Sequence, residues 1–217
     1  MDLDSPLLIG AGGATELAAA LRQSRQTWWP LVQGLAQGLG PAMELRYLPE
    51  HTPPRWQLGH LGWLEDWWLA RNPLRLQGLE ASAAAPRAAA RSATEDGALD
   101  PRRVGHTARW HQPLPAWPAI GRELAQRRER SLELLAALGR TPPAAALEPF
   151  RALLWHEDLE RSRWLQLAQS LGHWPGDALP AWPAPIVDDG ALAIPAGEHA
   201  LGAPTEAHWR EIGRAHV

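Results

Sequence analysis

The 217-residue chain is 45% hydrophobic with a formal net charge of −3, enough apolar material for one packed core and too little positive charge to attract nucleic acid or an anionic membrane. It contains no cysteine, which excludes disulfides and thiolate chemistry and leaves nitrogen and oxygen donors for any metal. All 21 basic residues are Arg, the usage of a high-GC bacterial coding sequence rather than a sign of function.

The opening MDLDSPLLIGAGG is acidic and lacks the basic lead of a secretory signal, and no apolar run reaches membrane-spanning length, so a cytoplasmic protein is expected. Residues 13–40 read as a first helix, with Leu17, Leu21, Trp28, Leu31, Leu35 and Leu39 on one stripe. Pro30 is expected to kink or divide it near Thr27, and Gly40 with Pro41 to end it.

The second helix is the one to explain. Thr52, Pro53 and Pro54 suit a helix start and Pro73 a stop, giving a helix over 54–72. Trp56, His60, Trp63, Leu64, Trp67 and Trp68 recur at three- and four-residue steps, so His60 sits within an apolar face that must be buried. A lone histidine there is more often a hydrogen-bonded core residue than a ligand. The chain has 13 Trp against one Phe and one Tyr. Because buried indoles want a partner for their N–H, several are expected at the rim of a pocket while most fill space between helices.

Residues 73–117 form a long connection whose first half, ASAAAPRAAARSATEDG, is low in complexity and expected to be mobile on the solvent side. Its second half sets Arg102, Arg103, His106, Arg109, Trp110 and His111 between prolines, a mixture of cations and aromatics suited to an anion. A third helix is expected from Pro118 to Leu138 on the stripe Ile120, Leu124, Ser131, Leu135 and Leu138, with QRRER as its wet face and Gly139 as its cap. The fourth runs from Ala144 to Leu171, stopped by Gly172, with Phe150, Leu153, Trp164, Leu167 and Leu171 facing the core. On it His156 and Glu160 stand at i and i+4 and point the same way, as a ligand pair or as part of a solvated charged patch. Two helices each offering imidazole or carboxylate is how bundle-core metal sites are built.

The motifs LGHLGWLEDWWLARN and FRALLWHEDLERSRWLQLAQSLG together resemble the N-terminal DinB-like domain of the ergothioneine and selenoneine synthases, and the likeness covers roughly residues 14–202. These are non-haem iron enzymes that join sulfur or selenium to the imidazole of trimethylhistidine. The resemblance implies a GHxxWF-type helix, matched by His60, and an HEDxHxE-type helix, matched by His156, with Glu160 at the position of the family's third histidine. It also implies Fe(II) as cofactor, trimethylhistidine and a small-molecule thiol or selenium donor as partners, no nucleic acid and no membrane. The link RVGHTARWHQPLP resembles the family's pocket-lining connection, so Arg103 or Arg109 is expected to contact the donor's carboxylates. His60, His156 and Glu160 would form a two-histidine, one-carboxylate set of the kind that holds non-haem ferrous iron. Such a set requires donors about 2.0–2.2 Å from one point, hence mutual spacings of roughly 3–4 Å.

The resulting expectation is an all-α fold: a DinB-like four-helix bundle over 1–173, with a long crossover between helices 2 and 3. A Pro-rich linker is expected over 174–185. ALAIPAGEHALG alternates like strand, turn and strand, so 186–211 is expected to be a short, truncated, β-containing start of a formylglycine-generating-enzyme-like domain. IGRAHV, residues 212–217, matches the translation of a common sequencing adapter and is expected to be an artefact, with the natural gene continuing. A chain lacking the rest of that domain is expected to be inactive as a synthase. Two other functions share the bundle: a binding or scaffold domain with a degenerate metal site, and a divalent-metal thiol transferase.

Overall fold

Leu17, Leu21, Trp28, Leu31 and Leu35 lie buried along one face of a helix, α1 (Ala14–Leu39). The computed structural model describes residues 12–92 and 94–172, together with Gly197. The expected linker, the β-containing segment and the adapter-like end lie, apart from Gly197, outside the described residues. Pro30 does not divide α1, which is assigned as one helix of 26 residues. Pro30 and Gln26, whose carbonyl loses its i+4 donor, both face solvent, so water can replace the missing bond. Gly40 ends the helix at φ 78°, its N–H donating to the Ala36 carbonyl at 2.8 Å.

The second helix, α2 (Pro54–Trp68), stops four residues before the expected Asn72. There the Arg71 N–H reaches back to the Asp66 carbonyl at 2.8 Å, and the Asn72 side chain donates to the Trp68 carbonyl while accepting from the Leu74 N–H. Asn72 thus closes the helix end and opens the turn through Pro73. Trp56, His60, Trp63 and Leu64 are buried as expected, and Trp67 and Trp68 are half-buried.

The crossover contains regular structure of its own. After a 3₁₀ turn at Arg75–Gln77 it forms α3 (Leu79–Ala84), α4 (Glu95–Leu99) and α5 (His106–Arg109). Leu79, Ser82, Leu99 and Val104 are buried beneath it. Arg71 clasps Asp96 with two bonds of 2.8 Å, and the Trp63 indole donates to the same carboxylate. The alanine-rich composition hid these anchors, which sit at single positions.

The last two long helices, α6 (Trp117–Ala136) and α7 (Ala144–Ser170), match expectation to within two residues. The four long helices pack in a closed ring of neighbours: α1 on α7, α7 on α2, α2 on α6, α6 on α1. The architecture of the described residues is therefore all-helical, and none of these helices is long and apolar enough to cross a membrane.

Two apolar clusters fill the interior, one around Trp28, Leu58, Leu124 and Trp164, the other around Leu21, Leu69, Leu135 and Phe150. Between them in sequence each long helix carries one member of a buried ion ring: Arg25, Glu65, Arg128 and Glu157. Arg128 bonds Glu65 at 2.9 Å and Glu157 at 2.7 Å, while Arg25 bonds Glu65 at 3.0 Å and Glu157 at 2.7 Å. QRRER is a wet face only in part: Gln126, Glu129 and Arg130 are exposed, while Arg127 and Arg128 are only 3% and 5% exposed. Arg127 bonds Asp66 at 2.7 Å, the Gly62 carbonyl at 3.1 Å, and Glu95. Opposite charge from neighbouring helices makes burial tolerable here. Burial alone would lower the Arg128 guanidinium, but the Glu157 and Glu65 carboxylates outweigh it and hold it above its ordinary value. Glu157 is likewise held low, because Arg128 and Arg25 outweigh the effect of burial.

Candidate functional site

His60 projects from the middle of α2 between two indoles of its own helix. Its ring stacks on Trp56 at 4.8 Å and 10°, and on Trp63 at 5.6 Å and 24°. Its Nδ1 lies 3.0 Å from the Leu99 carbonyl of α4. A carbonyl can only accept, so Nδ1 carries a proton, and in the neutral ring Nε2 would keep the lone pair that can accept a hydrogen bond or ligate a metal. A backbone carbonyl fixing ring tautomer and orientation in this way is the usual support of a metal-binding histidine.

His156 and Glu160 come from α7. The charged-patch reading fails for both, since each is 1% exposed. The His156 ring meets the His60 ring edge-on at 5.5 Å between centroids, and its Nε2 lies 3.9 Å from Glu160 Oε1. All three expected ligand residues are thus in one buried place.

Glu160 is the most constrained of them. Its Oε1 accepts from Arg163 at 2.5 Å, and its Oε2 from the Gln57 amide, also at 2.5 Å. Burial raises its carboxyl above the ordinary value, opposed by Arg163, by the Gln57 bond and by Arg109. Arg161, the other cation near it in sequence, pairs instead with Asp158 at 3.3 Å.

A cleft of about 320 Å³ opens onto this cluster, lined by Trp56, Gln57, His60, His106, Arg109, Glu160 and Arg163 among others. Arg109 lies over the Trp56 ring at 4.3 Å and donates to the Val104 carbonyl at 3.1 Å. Burial, and next the positive charge of Arg163, lower its guanidinium below the ordinary value. Arg103 is elsewhere: its side chain is 65% exposed and stands 3.7 Å from Asp100. Of the two arginines expected to meet a donor carboxylate, the structure brings only Arg109 to the pocket.

Sequence reading missed Gln57; a pairing of Glu160 with Arg163, three residues on, was open from the spacing. Gln57 was recoverable, because it lies one turn before His60 and thus shares its face. The Leu99 carbonyl carries no side-chain signal and could not have been found. No family model and no curated protein matches the chain.

The chemistry of the donor set fits a small divalent ion: two imidazoles and a carboxylate on facing helices, one imidazole fixed by a backbone acceptor. Among the described residues no three His, Asp or Glu side chains already stand as a coordinating group. Both Glu160 oxygens are held by Gln57 and Arg163.

Proposed function

We propose that the chain is the N-terminal, metal-bearing part of a non-haem iron enzyme that joins sulfur or selenium to the imidazole of trimethylhistidine, built on a DinB-like four-helix bundle. The observation that carries this reading is the burial of His60, His156 and Glu160 side by side beneath a cleft that holds Arg109, Arg163 and Trp56. His60, His156 and Glu160 would hold Fe(II), which supplies the activation of oxygen needed for oxidative carbon–chalcogen bond formation.

The remaining residues bind and orient. The Leu99 carbonyl fixes the His60 ring, Gln57 positions the Glu160 carboxylate, and Trp56 and Trp63 wall the imidazole off from water. Arg109 offers a guanidinium to a carboxylate of the thiol or selenium donor, already aligned by its contact with Trp56.

A second reading has an observation in its favour: the closure of Glu160 by Gln57 and Arg163 suits a binding or scaffold domain whose metal site is degenerate. The thiol-transferase alternative shares the bundle and draws no specific support from the cleft. Anaerobic equilibrium dialysis against Fe(II) separates the two readings. The enzyme reading expects one ion per chain and a change in its binding when trimethylhistidine is added. The scaffold reading expects no stoichiometric iron.

A further inference from the structure

Arg163 holds a carboxylate at the wall of an open cleft. Its side chain is 41% exposed while its partner Glu160 is buried. Arg109 reaches the same cleft, and among the described residues its guanidinium donates to the Val104 carbonyl and bonds no carboxylate. The two guanidiniums stand nearest one carboxylate, Glu160, while Glu50 also lines the cleft; burial first, and the charge of Arg163 second, lower the Arg109 guanidinium, with Glu160 opposing. This arrangement favours a second carboxylate in the cleft. The oxygen of Glu160 that Arg163 holds is Oε1, the one that lies 3.9 Å from His156 Nε2.

We infer that an incoming small-molecule carboxylate competes with Glu160 for Arg163, so that occupation of the cleft releases the Glu160 oxygen that faces His156. The exchange replaces one guanidinium–carboxylate pair by another and gives Arg109 a counter-ion; its cost is that buried Glu160 keeps only the Gln57 bond until a cation binds beside His156. Gln57 keeps Oε2 and prevents the freed side chain from swinging away. The inference deepens the metal reading above: the ligand set would be completed only when substrate is present, and an empty pocket would leave Glu160 on Arg163. By linkage, whatever binds to the freed oxygen must in turn tighten the carboxylate.

The test is a double-variant cycle read by calorimetric binding of succinate, a dicarboxylate with no thiol, at constant ionic strength and without metal. Glu160→Gln removes the competitor and should tighten succinate by at least about tenfold, the scale of one charge-assisted bond. Arg163→Gln should weaken it by a similar factor. In the Arg163→Gln background, Glu160→Gln should then change little, because the effect runs through Arg163. Equal tightening in both backgrounds, or no succinate binding by the wild type, overturns the inference. Arg163→Lys, with helicity checked by circular dichroism, should fall between wild type and Arg163→Gln. Where Co(II) binds, saturating succinate should tighten it in the wild type and not in Arg163→Gln; an unchanged affinity overturns the link to the metal. A chain that shows the succinate pattern and never binds Co(II) refutes the iron reading alone.

Discussion

Arg128 and Glu157, from the third and fourth long helices, are joined by a 2.7 Å bond with both side chains buried. The pair belongs to a ring in which each long helix contributes one charge, with Arg25 and Glu65 completing it. An ion ring of this kind is a weak source of stability against an apolar replacement, but it penalises any misregistered packing that leaves one member alone.

Arg128→Met is expected to destabilise the fold by about 3–5 kcal/mol, because it strands Glu65 and Glu157 without one of their partners. Urea denaturation followed by helical circular dichroism measures this. Adding Glu157→Gln should recover part of the loss, and an Arg128→Met variant as stable as wild type would show that the ring contributes nothing.

Gly62 lies where α2 packs tightly on α6. A methyl group there would lie 2.8 Å from a Leu124 methyl and 3.0 Å from the Arg127 side chain. Gly62→Ala is expected to cost about 1–3 kcal/mol through overpacking, outweighing the better helix propensity of Ala. The same denaturation experiment checks it; a stabilised variant would contradict the close approach.

Asp96 fastens the crossover to α2. Its carboxyl is held below the ordinary value of 3.8, chiefly by the Arg71 bond, with burial opposing and the Trp63 N–H adding to the lowering. A depressed carboxylate contributes stability that is complete above the unfolded value and is lost as pH falls through the folded one. The wild type should therefore lose about 1 kcal/mol or less of stability below pH 3.8 through this group, given its partial exposure. Asp96→Asn should lack that component, as seen in the difference between melting curves collected from pH 5 to pH 2.

The four long helices, and the common face of His156 and Glu160, were legible because each rests on a period that one helix carries alone; that His60 meets them was an expectation from the resemblance of the two motifs. What one helix does not carry is the charge on its neighbour. Arg128 falls on the apolar stripe of Leu124, Ser131 and Leu135, and the run of ions around it hid that register until Glu65 and Glu157 were seen opposite. The same gap hid half of the closure of Glu160, since Gln57 sits on another helix. Arg103 and Arg109 looked alike in sequence, and only the path of the crossover separates the solvent-facing one from the one over Trp56.

The most direct measurement is an anaerobic Co(II) titration of the chain, followed by ligand-field absorption, with and without succinate. The metal reading predicts a saturable one-to-one spectrum whose affinity falls by about 10-fold to 100-fold or more in His60→Ala, His156→Ala and Glu160→Ala. It also predicts no such loss in Arg103→Ala, which lies outside the cleft. A spectrum indifferent to His156→Ala, or no bound Co(II) under either condition, would contradict it.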